Sequence, residues 1–178
     1  IAVRFANEPS TSASVTNVRV GDVFGWIGQS NADGRFSSAQ PYTGSGASIY
    51  DRGGSWINLT SGYSSPAASG GYSVLLRVAS LIEEHTGVPV GFVAETQGRT
   101  GLVAPDPDWA PGGSNYQQFI SAVANSEVNG IKAFLWYQGG REISNSIPQA
   151  TYEAAEQGLL SNLRSATGFS SAPLISAN

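Results

Sequence analysis

The segment at residues 21–36, GDVFGWIGQSNADGRF, decides how the chain is read. Its first half, VFGWI at 23–27, is apolar on both faces, the pattern of a central strand in a parallel sheet covered on both sides. The run ends at Gly28 and delivers a serine, Ser30, between two amides, Gln29 and Asn31. A hydroxyl straight after a buried strand has a firmly held backbone, which suits a nucleophile. The same position also suits a serine that caps the next turn. GQSNA departs from the G-x-S-x-G elbow of α/β-hydrolases at its last position, so that fold is not supported.

Working outward, IAVRF (1–5) and VTNVRV (15–20) alternate apolar and polar residues as strands with one wet face do, with a polar loop between them. These twenty residues read as the end of a preceding β-region. Residues 32–71 are rich in Gly, Ser and Tyr and are expected to be irregular. GYSVLLRVASLIEEHTG then shows helical periodicity, with Val74, Val78, Leu81 and His85 on one stripe and Leu75, Ala79 and Ile82 beside them, and Gly87 is placed as its C-cap. VPVGFVA (88–94) predicts a strand, 115–126 a helix, IKAFLWY (131–137) a strand, 151–167 a helix and APLIS (172–176) a last strand. This alternation predicts one domain, a three-layer α/β/α sandwich around a parallel, flavodoxin-like sheet. In such a sheet the working face lies at the C-terminal ends of the strands. The loops expected there contain Ser30, TQGRTG (96–101) and YQGGRE (137–142).

The 178 residues suffice for one ordinary core, and 40% of them are apolar. Only 12% are charged and the net charge is −4, so there is no basic patch to neutralise nucleic-acid phosphates. A surface of neutral polar groups suits neutral partners such as sugars. With no cysteine there is no disulfide framework and no thiolate zinc site, and no metal or cofactor is called for. No apolar run approaches the ~20 residues needed to span a bilayer. DPD (106–108) reads as a turn, Trp26 and Trp136 as core, and the loop aromatics Trp56 and Trp109 as sugar platforms or loop anchors alike.

VTNVRVGDVFGWIGQSN, TGVPVGFVAETQGRTGL and GIKAFLWYQGGRE, in that order and spacing, resemble the SGNH-hydrolase superfamily, in particular its sialate O-acetylesterase-like carbohydrate esterases. The resemblance runs over about residues 15–176 and implies the SGNH hydrolase fold. It implies an extracellular or secreted esterase, a virion or cell-surface component included, that removes O-acetyl groups from a carbohydrate. By the same resemblance Ser30 is the nucleophile, the Ser30 and Gly98 backbones form part of the oxyanion hole, and the Gln138 side chain completes the site. Asn31, Arg99 and Glu142 are then expected on the substrate side. Two positions depart from the family's pattern: Gly140 stands where a glutamate is usual, with Glu142 following, and Arg99 stands where a second glycine is usual.

The family also carries a D-x-x-H block beyond its last strand, supplying the acid and the base. The only histidine here is His85, expected at a helix C-terminus on the far side of the sheet from Ser30. The chain therefore reads as a domain lacking that block, with the catalytic Asp and His supplied from outside it, a companion polypeptide being one source. The alternative is a non-catalytic carbohydrate-binding or structural module, as in a phage tail or cell-surface protein.

Overall fold

A computed structural model describes residues 2–5, 7–14, 20–38, 41–44, 46–50, 52–60, 63 and 71–177. Strands β1 (Ala2–Phe5) and β2 (Glu8–Ser14) pair antiparallel as a separate two-stranded sheet. The loop expected over 6–14 is therefore largely strand; its Ser- and Thr-rich sequence carries no apolar period to reveal it. The strand expected at 15–20 lies, apart from Val20, outside the described residues.

The remaining elements run β3 (Asp22–Gly28), α1 (Ser30–Asp33), β4 (Ser48–Tyr50), β5 (Trp56–Asn58), α2 (Leu75–Thr86) and β6 (Val90–Thr96). They continue with α3 (Ser114–Asn125), β7 (Phe134–Tyr137), α4 (Gly140–Ser144), α5 (Gln149–Thr167) and β8 (Leu174–Ala177). Six strands form one sheet in the order β5-β4-β6-β3-β7-β8. Every neighbouring pair is parallel except β4 with the edge strand β5. This is the α/β sandwich expected, with two refinements. Strands β4 and β5 lie inside the segment expected to be irregular, and β5 runs antiparallel at the edge of a sheet expected to be parallel.

Period-two alternation splits the core between two faces. Trp26, Phe92 and Ala94 pack with Leu75, Leu76 and Ala79 of α2 on one face. Ile27, Val93, Phe134 and Trp136 pack with Tyr116, Phe119 and Val123 of α3 and Leu159 and Leu163 of α5 on the other. Helix α2 closes on Gly87, which is left-handed and donates its N–H to Glu83 O at 2.8 Å. Its buried stripe is Leu75, Leu76, Ala79 and Ser80, turned from the expected one, so Leu81 and His85 are exposed. Among the described residues no helix is long and apolar enough to cross a membrane.

The register fixes where chemistry can sit. Asp22 pairs with Val90 and Gly28 with Thr96 along β3 and β6, and Gly28 also pairs with Tyr137 of β7. All three strands thus end at one level. The chain fills the sheet on one side of β3 before crossing to β7 on the other, which makes the C-terminal end of β3 a switch point.

Candidate active site

Ser30 emerges at that switch point. Gly28 before it has φ +151°, and a Cβ there would overlap the Tyr137 carbonyl, so the turn requires glycine. Gln29 N–H donates to Tyr137 O (3.1 Å), Asp33 N–H to Gln29 O (2.9 Å) and Gly34 N–H to Ser30 O (3.0 Å). The Ser30 backbone is held on both sides while its side chain stays half-buried. Gly98 lies against it: a Cβ on Gly98 would sit 3.4 Å from Ser30 Cβ and 3.3 Å from Arg35 Nη2. Asn31 and Arg99 are both exposed beside this pair. Arg99 has φ +68°, a left-handed conformation that accounts physically for the glycine usual at that position in the family resembled.

Gln138 and Glu142 are placed differently. Gln138 is 1% exposed, and its Nε2 faces three acceptors: Gln29 Oε1 (3.4 Å), Thr100 O (3.2 Å) and Glu142 Oε2. Three acceptors around one nitrogen fix the amide's orientation and occupy both its protons. Gln138 Oε1, buried, has no hydrogen-bond partner among the described residues. Glu142, also buried, accepts Leu102 N–H at 2.6 Å and Val103 N–H at 3.4 Å. Glu142, expected on the substrate side, has both its oxygens engaged inside the protein, bracing the 100–103 loop and Gln138. Gly140 leaves room for Gln29, whose Nε2 would lie 2.6 Å from a Cβ there. Gln29 Oε1 also accepts Arg141 N–H at 3.1 Å, tying the Ser30 turn to α4.

Beneath the 97–101 loop lies a second network that the sequence did not reveal. Arg52 pairs with buried Glu95 and donates to Thr96 O (3.2 Å) and Gln97 Oε1 (3.0 Å). Fully buried Asn115 donates to Glu95 Oε1 at 2.9 Å, and Thr96 Oγ1 to Asp33 Oδ1 at 3.1 Å. Burial pushes the Glu95 carboxyl above its ordinary value even though Arg52 and Asn115 favour the charged form. A groove of about 370 Å³, lined by Tyr50, Arg52, Ala94, Glu95, Gln117 and Ala122 among others, opens beside this network.

The other candidates resolve into structure. His85 is exposed in the last turn of α2, its Nδ1 2.9 Å from Leu81 O. It precedes the start of β6, a strand length of roughly 20 Å from the end that carries Ser30. Trp109 is fully buried, donating to Thr100 Oγ1 (3.1 Å) and packing edge-on against Trp136, so it anchors its loop. Trp56 is half-buried and donates to Ser126 O at 3.0 Å. Asp106 of the DPD turn accepts from Arg141 (2.8 Å) and Asn145 (3.0 Å), which hold its carboxyl below the usual range. Among the described residues no group of three or more His, Cys, Asp or Glu side chains could hold a metal ion.

A family model described as a carbohydrate esterase, sialic acid-specific acetylesterase, matches residues 20–178. Among solved structures the chain resembles a protein of Arabidopsis thaliana with TM-score 0.65 and 18% identity, covering 88% of this chain and 73% of that one. It resembles XAC1771, described as a novel carbohydrate acetylesterase from Xanthomonas citri, with TM-score 0.63 and 20% identity. That match covers 95% of this chain but 44% of XAC1771, so the chain spans less than half of that protein. NanS matches with TM-score 0.65 and 15% identity, over 88% of this chain and 67% of that one. These likenesses show a shared fold. A search of curated protein sequences gives no match.

Proposed function

The chain belongs to the sialic acid-specific acetylesterase family of carbohydrate esterases, and from that premise we propose that it acts as a serine esterase on O-acetylated sugars, with Ser30 as nucleophile. The observation that carries this reading is the meeting of Ser30 and Gly98 at the C-terminal ends of paired β3 and β6. A hydroxyl on a rigid turn beside a glycine-bearing loop is what acyl transfer requires.

In this mechanism Ser30 Oγ attacks the ester carbonyl carbon and gives its proton to an imidazole base. The carbonyl electron pair moves onto oxygen, where the backbone N–H groups of Ser30 and Gly98 receive it. Collapse breaks the bond to the sugar oxygen, which takes the proton and leaves as an alcohol. Water then attacks the acetyl-serine and releases acetate. Asn31 and Arg99 face the bound sugar, while Gln138 and Glu142 position the surrounding turns. His85, held at the far edge of the sheet, is not the base. The base and its orienting acid come from outside these 178 residues, on a D-x-x-H segment or a companion polypeptide. We place its work outside the cell, where acylated glycans are met.

The test is acetate release from an O-acetylated sugar by the protein together with the segment or polypeptide that carries its D-x-x-H block, and by Ser30→Ala in the same form. The mechanism expects release by the first and a loss of about 10³-fold or more in the second. The position of His85 favours one rival, a glycan-binding module without catalysis. Glycan binding unchanged by Ser30→Ala, with no acetate released by either protein, would establish that rival.

A further inference from the structure

Acyl transfer benefits from a third donor at the oxyanion, and the structure commits both N–H protons of Gln138 to buried acceptors. We propose that Arg35 is that donor: its guanidinium donates to the oxygen that becomes negative when Ser30 attacks an ester. The proposal rests on Ser30 being the nucleophile and adds a catalytic group to the same site.

Three observations converge on Arg35. The space left open by glycine at 98 is bounded by Ser30 Cβ at 3.4 Å and by Arg35 Nη2 at 3.3 Å. The guanidinium and the carbon carrying the attacking hydroxyl therefore border one gap, slightly narrower than a methyl group needs. The ion pairs among the described residues use Arg52, Lys132 and Arg141, which leaves the exposed Arg35 side chain available to a ligand. The root of that side chain is fixed. Phe36 exchanges backbone hydrogen bonds with Tyr72 (3.2 and 3.0 Å), and Gly71 packs against the Arg35 backbone, where a Cβ on Gly71 would lie 2.9 Å from Arg35 Cα.

The chemistry suits the residue. As the Oγ–C bond forms, the carbonyl electron pair moves to oxygen and the hydroxyl proton leaves to the base. The new negative charge then faces a cation that stays protonated at any working pH. A charge-assisted hydrogen bond is roughly twice as strong as a neutral one, and this one strengthens as charge develops.

The test compares wild type, Arg35→Gln and Arg35→Lys on an uncharged substrate, 4-nitrophenyl acetate, and on a sugar acetate bearing a carboxylate. It also measures the rate at which a fluorophosphonate labels Ser30, with Oγ–P bond formation and loss of fluoride. The expected result is a fall in kcat of about 10²-fold in Arg35→Gln on both esters with KM little changed. Labelling should slow in parallel, and Arg35→Lys should recover part of both rates. Unchanged kcat and labelling in Arg35→Gln would overturn the proposal. So would a rise in KM confined to the carboxylate-bearing ester, which would make Arg35 a substrate clamp. Either result leaves Ser30 as nucleophile, whereas a wild-type protein unlabelled at Ser30 removes that premise and the role of Arg35 with it.

Discussion

Arg99 shows how the backbone, as much as the side chains, shapes this site. Its left-handed φ of +68° disfavours any residue with a Cβ, by about 1–2 kcal/mol. Arg99→Gly is therefore expected to hold or raise the unfolding midpoint, whereas the β-branched Arg99→Val should lower stability by about 1 kcal/mol or more, read by urea titration. Glu142 gives a sharper case. Its removal in Glu142→Ala orphans the buried Leu102 N–H and takes one of three acceptors from the Gln138 amide, at a cost of about 1–3 kcal/mol. The place of Ser30 was legible in sequence because a strand apolar on both faces precedes it, whereas Gly98 was singled out by the family resemblance alone. Arg35 was not: its place beside Ser30 depends on the Phe36–Tyr72 bridge, which joins segments far apart in the chain. Nor was the burial of Gln138 and Glu142, which follows from the turn into α4 and its packing on the 100–103 loop.

Among the elements, β6 and the residues that brace its end tie stability to pH. Burial raises the Glu95 carboxyl above its unfolded value, so the folded state holds that proton more tightly than the unfolded chain. The resulting contribution is present in full below the ordinary glutamate range and is lost as pH rises through the folded value. Measured against Glu95→Gln, which cannot titrate, the wild type should lose relative stability between about pH 4 and pH 7. Denaturant midpoints at both pH values check the sign. A wild type that gained on Glu95→Gln toward neutrality would show the Arg52 pairing outweighing burial. The strands β3 and β6 were readable as apolar runs buried on both faces, and the helices α3 and α5 from their length and amphipathic pattern. The three-residue strands β4 and β5 were not, since so short a run carries no period and they form only by pairing with each other and with β6.

For the whole molecule, the division of labour is topological. The sheet is filled on one side of β3 and then on the other, so loops from β3, β6 and β7 meet at one end while His85 is left at the opposite one. The β1–β2 hairpin forms its own sheet and lies before the residues matched by the family model. A variant lacking residues 1–19 is expected to keep the thermal midpoint of the six-stranded domain within about 2 °C, because a lone hairpin adds little stability of its own. A much larger fall would mean that the hairpin packs on the domain as part of its core. The central claim remains the placement of a nucleophile at the end of β3. Its most direct test is to treat the complete protein, base-bearing segment included, with a fluorophosphonate and locate the adduct by peptide mass spectrometry. The account predicts a single adduct on the peptide containing Ser30, abolished in Ser30→Ala. An adduct on another residue, or none in a preparation that releases acetate, would contradict it.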